Sequence, residues 1–172
     1  MKVKILKVST KELAGAIIRN GKLPEMPSIQ ENWRFNFNKH IKLPNSSAYV
    51  LIAEESPQII EGCLIFQLNE KSIPYMAYVE IAPRNKGNKK FYDYVGGCLI
   101  AYAFKLGLIR GKGLYKGMLF FDVQESNAED QIKLMGMYSQ KYNAKLLEKG
   151  KTTMVITDSG GDDLINRYLN RK

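Results

Sequence analysis

Apolar and polar positions change period several times along the chain, and each change marks an element. Residues 3–8 alternate apolar side chains with lysine, as a half-buried strand does. Ser9-Thr10-Lys11-Glu12 has the spacing of a capping box, so a helix is expected there, carrying Leu13, Ile17 and Ile18 and ending near Gly21. Pro24 and Pro27 interrupt the chain, and Ser28-Ile29-Gln30-Glu31 is a second capping box. Ile29, Trp33, Phe37 and Ile41 then recur at spacing four, a helical stripe. Trp33, Phe35 and Phe37 also alternate like a strand.

Beyond a polar loop at 44–47, residues 48–53 and 59–68 read as strands, joined through the turn residues Ser56-Pro57-Gln58. A second polar turn at 69–72 leads into a strand at 75–81, so three consecutive antiparallel strands are expected. Residues 91–106 carry Phe91, Val95, Cys98, Leu99, Tyr102 and Leu106 at helical spacing. Gly96 and Gly97 each cost that helix about 1 kcal/mol, which implies close approach of a neighbouring element or a ligand. A glycine-punctuated basic loop spans 107–117, followed by a strand at 118–123. Ser126-Asn127-Ala128-Glu129 is a third capping box and opens a helix with Ile132, Met135, Tyr138 and Tyr142. A hairpin is expected from 144–147 and 152–157, then a short helix over 162–169. The order is β-α-α-β-β-β-loop-α-β-α-β-β. No internal repeat or linker interrupts it, and residues 1–172 are expected to form one domain.

The segment between the third consecutive strand and the next helix carries the chemistry. After Pro83 it reads Arg84-Asn85-Lys86-Gly87-Asn88-Lys89-Lys90, four cations around one glycine with no acid before Asp93. The first turn of a helix has N–H groups without intrahelical partners, and its dipole favours an anion. Gly87 lets the backbone turn and approach a ligand closely. A P-loop pattern and a dinucleotide fingerprint are both absent.

The segment resembles the pyrophosphate loop of the GNAT superfamily of N-acetyltransferases, [QR]-x-x-G-x-[GA], with Arg84, Gly87 and Lys89 on its three fixed positions. Lys89 departs from the pattern, which has glycine or alanine there. The element order also matches that family over nearly the whole chain, with one short C-terminal helix added. The resemblance implies an α/β (α+β) fold, a mixed, mostly antiparallel central sheet of about seven strands flanked by helices. It implies acetyl-CoA as cosubstrate, no metal, and direct attack of an amine on the thioester. Cofactor binding would fall to Val79 and Ile81 on the fourth strand and to Arg84, Lys86, Gly87, Asn88, Lys89 and Lys90 in the loop. Asn88 is also able to cap the following helix by itself. Asn127 stands where the family often has an asparagine near the cofactor, although helix capping accounts for it too. Glu80 lies where some members carry the general base, or is an outward-facing strand carboxylate paired with a lysine. Tyr138 resembles the general acid of many members, or packs in the core; aligning Asn143 with the family's glycine instead places Ser139 at that position. The aromatics Trp33, Phe35 and Phe37 suit core packing or a wall of the acceptor site.

Composition narrows the alternatives. Apolar residues at 45% and charged residues at 25% suit a globular chain, and no run reaches the roughly 18 apolar residues of a membrane span. The N-terminal stretch lacks an apolar signal core, so a cytoplasmic location is expected. Cys63 and Cys98 sit on apolar stretches and read as reduced buried thiols or one disulfide. With His40 as the one histidine, a zinc site or a Ser-His-Asp centre is poorly supplied. A net charge of +9 fits an acidic partner, a nucleotide cofactor or a nucleic acid, and equally fits plain solubility. Two other classes stay open: a noncatalytic relative that binds CoA or a nucleotide, and a basic nucleic-acid-binding module. The acceptor amine, small or macromolecular, is not readable from the residues, and a dimer is compatible with them.

Overall fold

The computed structural model describes all residues from Met1 to Lys172. Nine strands form one sheet in the order β6-β1-β2-β3-β4-β5-β7-β9-β8. They are β1 Lys2–Lys7, β2 Glu12–Asn20, β3 Ser46–Ala53, β4 Ile60–Asn69, β5 Ile73–Ile81, β6 Tyr92–Asp93, β7 Leu119–Asp122, β8 Lys145–Leu146 and β9 Thr153–Ile156. The helices are α1 Phe37–His40, α2 Val95–Arg110, α3 Ala128–Tyr142 and α4 Asp158–Leu164, the last continuing as a π turn over Ile165–Leu169. No helix is long and apolar enough to cross a membrane. Every strand pair is antiparallel except β5 with β7.

The sheet is the mixed, mostly antiparallel one expected, with nine strands in place of about seven. The central strands show why their sequences are nearly continuous apolar runs. On β3, Tyr49, Leu51 and Ala53 enter a core beneath α2, α3 and the C-terminal segment, while Ala48, Val50 and Ile52 enter a second core on the opposite face. Leu64 and Phe66 of β4 join the first core, and Cys63 and Ile65 the second. A strand covered on both faces loses the polar half of its alternation. Both cysteines are free thiols and buried; burial pushes the Cys98 thiol up to about 12.

Four sequence expectations are corrected here. The segment after Ser9 is not a helix. It is strand β2, paired in register with β1 from Lys2↔Ile17 to Lys7↔Glu12, and with β3 on its other side. Lys11 at φ 57° makes the turn, so Ser9 and Thr10 serve a hairpin and cap nothing. Ala16 and Ile18 point to the first core and Ile17 to the second, which is strand alternation. Long-range pairing on both edges decided between two periods that a nine-residue segment cannot separate.

The second expected helix is also mostly absent. Its capping box is real, with the Ser28 N–H donating to Glu31 Oε2 at 2.9 Å. It starts only one 3₁₀ turn, Ile29–Glu31, because Asn32 takes φ 63° and ends it. The connector then inserts Trp33 into the second core, and Phe37 enters it from the start of the short α1. The third correction concerns α2. It begins at Val95, not Phe91, because Tyr92 and Asp93 pair with Leu6 and Lys7 of β1 and extend the sheet. The third capping box is displaced by one residue: Asn127, not Ser126, caps α3 and accepts from the Asp130 N–H at 2.9 Å.

Candidate active site

The site is made by a divergence. β5 and β7 meet at one parallel bridge, Tyr75↔Phe120, and then separate. The pairing of β5 with β4 shifts register between Ile65 and Phe66, which leaves Ala77 as an extra residue on β5. A bulge bends its strand and increases its twist, so β5 turns away from β7 just past the bridge. From Met76 onward β5 therefore has a strand neighbour on the β4 side alone, and its alternate main-chain groups face an opening.

The opening holds two adjoining cavities. The first, of about 480 Å³, lies between the end of β5 and the N-terminus of α2, with α3 along one side. The second, of about 430 Å³, lies between the start of β5, β7 and the connector before β3. Arg34, Phe35, Val79, Glu125, Leu134 and Tyr138 line both and form the junction.

In the first cavity the main chain dominates. Tyr94 precedes α2 with φ 72°, and no side chain caps the helix. The Cys98 N–H donates to the Tyr94 carbonyl at 2.9 Å, so the unpaired donors of the first turn are those of Val95, Gly96 and Gly97. All three residues line the cavity, as do Lys86, Lys90 and Lys141. Unpaired N–H groups, the helix dipole and nearby ammonium groups make this end an anion seat. Tyr94 is held in its left-handed conformation from outside: the Arg171 guanidinium lies 3.7 Å from its ring centre, and Tyr168 packs edge-on against it. Gly97 is required by close approach, since a Cβ there would fall 2.2 Å from the Tyr168 ring. At Gly96 a Cβ would meet only ordinary contacts at 3.5 Å, and the added space opens to the cavity.

The loop expected to bind pyrophosphate turns out to be divided. Lys86, Gly87 and Lys90 line the cavity; Arg84, Asn88 and Lys89 do not. Arg84 donates through Nε and Nη2 to the fully buried Glu61 carboxylate and stacks over Phe91. Asn85 donates to the same carboxylate at 2.9 Å and accepts from the Tyr92 N–H at 2.9 Å. Glu61 is itself the extra residue of a bulge on β4, so a buried acid anchors the loop from beneath. The Phe91 N–H closes the loop onto the Arg84 carbonyl at 3.0 Å. Gly87 takes φ +71° with open space around it, the left-handed turn its sequence position suggested. Asn88 does not cap α2, and the Asn127 side chain is spent on capping α3, outside both cavities.

Val79, Glu80 and Ile81 line the first cavity. Glu80 is buried, and both its oxygens are engaged. Oε1 accepts from the Arg34 N–H at 2.8 Å and from Lys86 Nζ, and Oε2 accepts from the Phe35 N–H at 3.2 Å. Glu80 is paired with a lysine, but it faces inward and not outward. Glu80 thereby pins the connector to β5. Arg34 continues across the opening, donating to Glu125 Oε1 at 2.5 Å and to the Gln124 carbonyl at 2.9 Å. Glu125 Oε2 accepts no hydrogen bond. Tyr138 packs against Phe121 and Tyr142 and reaches the junction; burial holds its phenol up to about 12, with the charge of Arg34 pulling the other way. Ser139 instead donates to the Ala144 carbonyl at 2.8 Å, off the site. Arg34 and Glu125 were missed in the sequence because they lie 91 positions apart on irregular segments. No three His, Cys, Asp or Glu side chains converge as metal ligands would.

No family model matches the chain, and no curated protein matches it in sequence. Solved structures do match in fold. A mutant of the toxin AtaT bound to the C-terminus of the antitoxin AtaR and acetyl-CoA superposes with TM-score 0.53 at 14% identity, covering 87% of this chain and 98% of that one. A mutant of the spermidine N-acetyltransferase SpeG from Vibrio cholerae gives TM-score 0.53 at 16% identity, with 88% and 97% covered. The KacTA–DNA complex gives 0.55 at 11% identity, with 88% and 99% covered. The chain therefore has the GNAT acetyltransferase fold.

Proposed function

We propose that the protein is an acetyl-CoA-dependent N-acetyltransferase acting on an amine. The observation that carries this reading is the separation of β5 from β7 over an uncapped helix N-terminus. Such a cleft presents main-chain hydrogen-bonding groups to an extended amide-bearing chain and N–H groups to a phosphate. The fold, shared with a spermidine N-acetyltransferase and with a toxin structure solved with acetyl-CoA, supports it.

In this reading the free edge of β5 around Val79 and Ile81 holds the pantetheine amides. The N–H groups of Val95, Gly96 and Gly97 hold the pyrophosphate, with Lys141 adding charge, while Lys86 and Lys90 are paired with Glu80 and Asp93 at the same cavity. Bound acetyl-CoA supplies a thioester activated toward attack by an amine nitrogen. An alkyl ammonium has a pKa near 10.4, so a proton must first leave it. Glu80 has little free capacity and serves as the anchor of Arg34 and Phe35. The Glu125 carboxylate stands at the junction with one oxygen unengaged and accepts that proton. Tyr138, protonated throughout the neutral range, donates its phenolic proton to the leaving sulfur.

Thermal denaturation tests the reading. At a hundredfold excess over Kd, acetyl-CoA stabilises the folded state by about 2.7 kcal/mol, and each kcal/mol moves Tm by roughly 2–4 °C for a domain of this size. A rise of roughly 5–10 °C is expected with acetyl-CoA or CoA and none with NAD, ATP or short RNA. A folded protein whose Tm does not move with millimolar acetyl-CoA would remove the acetyltransferase reading.

A further inference from the structure

The second cavity carries an unbalanced charge. Its charged lining residues are Arg34, Glu125 and Asp122. Arg34 and Glu125 neutralise each other, which leaves Asp122. This carboxylate is held by hydroxyl groups alone. Oδ2 accepts from Tyr75 Oη at 2.7 Å, and Oδ1 accepts from Thr153 at 2.5 Å and Thr152 at 3.5 Å. No lysine, arginine or histidine comes within 4.0 Å of it, although the chain has 26 Lys and Arg against 17 Asp and Glu. Hydroxyl donors orient a carboxylate without cancelling its charge.

The surrounding wall is aromatic. Phe35, Tyr75, Tyr78 and Phe121 line the same cavity. Phe35 and Tyr78 pack edge-on, and His40 stacks behind Tyr78 at 3.8 Å. Burial holds the His40 imidazole below its ordinary pKa, so it adds no positive charge behind that ring at neutral pH. Aromatic faces attract ammonium groups, and the exposed Asp122 carboxylate beside them is the one charge of the cavity that no cation cancels.

We infer that the acceptor carries a second positive charge besides the amine that reacts, and that Asp122 and the aromatic wall seat it. The substrate class is a small diamine: one nitrogen reaches the junction at Glu125 and Tyr138, and the other stays protonated at Asp122. The inference rests on the acetyltransferase reading for the role of the first nitrogen, but the Asp122 seat stands by itself as a cation site.

The test uses straight-chain α,ω-diamines and monoamines of equal length, each titrated calorimetrically into the protein alone and into the CoA-saturated protein, with thiol release followed in parallel. Diamines are expected to bind about tenfold or more tightly than their monoamine counterparts, with the advantage shrinking at high salt. Asp122→Asn should remove that advantage, weakening diamines by about tenfold more than monoamines of equal length. Tyr75→Phe, which takes away the hydroxyl tie but keeps the charge, should retain it and so controls for the link between β5 and β7. Equal affinity of the parent for diamines and monoamines would overturn the inference, as would an Asp122→Asn variant that weakens both alike. Failure of the acetyltransferase reading looks different: CoA would not bind, whatever the diamines do.

Discussion

The two halves of the cleft are built from different materials. The half beneath α2 presents main chain: the free edge of β5, three N–H groups, and glycines that keep the approach clear. The half between β5, β7 and the connector presents side chains, two carboxylates and five aromatic rings, drawn from β5, β7, α3 and two irregular segments. Main-chain recognition depends on where strands part and a helix begins, so it tolerates wide change in side chains. Side-chain recognition depends on which residues a fold happens to bring together. The first half accordingly suits a cosubstrate common to many proteins of one fold, and the second suits whatever acceptor is particular to this chain.

The largest effect is expected from filling the main-chain half. Gly96→Leu adds its Cβ at ordinary contact distance from Ile81 and Tyr142, so the fold should tolerate it. The helix gains up to about 1 kcal/mol by losing a glycine. The side chain then occupies cavity space in front of the first-turn N–H groups, and acetyl-CoA affinity should fall by about 100-fold or more, about 2.8 kcal/mol. Calorimetric affinity equal to that of the parent would break the assignment of this half to the cosubstrate. Gly97 is not an equivalent test, because a Cβ there collides with Tyr168 and damages the core.

A smaller effect is expected at the junction. Tyr138→Phe should lower the rate of thiol release by about 100-fold, within the usual range for general acid catalysis, with acetyl-CoA affinity little changed. The same variant has a signature in stability. Burial holds the Tyr138 phenol up to about 12, above its ordinary value near 10. Between those values the folded state keeps a proton that the unfolded chain loses, so its contribution is full below about pH 10 and is lost as the pH rises toward about 12. The parent should lose stability over that window, and Tyr138→Phe should lose less. Identical alkaline profiles would show that the phenol is not held as described.

The smallest effect separates anchoring from catalysis at Glu80. Glu80→Gln withdraws charge from Lys86 and weakens the grip on the Arg34 and Phe35 N–H groups. A loss of about 1–3 kcal/mol is expected, read as a fall in Tm of roughly 2–4 °C per kcal/mol, with kcat changed less than about tenfold. An unchanged Tm with a collapsed kcat would return the proton-accepting role from Glu125 to Glu80.

Much of the fold was legible wherever one local pattern had one interpretation. The apolar runs of β3, β4 and β5, the strand β7, the helix α3 and the last hairpin all stand where periodicity placed them, and α2 stands there but for its start. For the site, Glu80 and Tyr138 were singled out from the residues and do line the cleft, and so do Lys86, Gly87 and Lys90. The sequence by itself determined a single cationic turn after a buried strand, a following glycine-bearing helix, and the apolar runs of the central strands, because these depend on neighbours a few positions apart. Tertiary structure alone decided the rest. It made residues 12–20 a strand by pairing both their edges, and it held back the start of α2 by drawing Tyr92 and Asp93 into the sheet. It turned Arg84 inward to a buried Glu61, and it joined Arg34 to Glu125 across the opening. Each of those outcomes is fixed by a partner tens of positions away, and the free energy of a charge or a β-edge depends on whether that partner is present, which no local window contains.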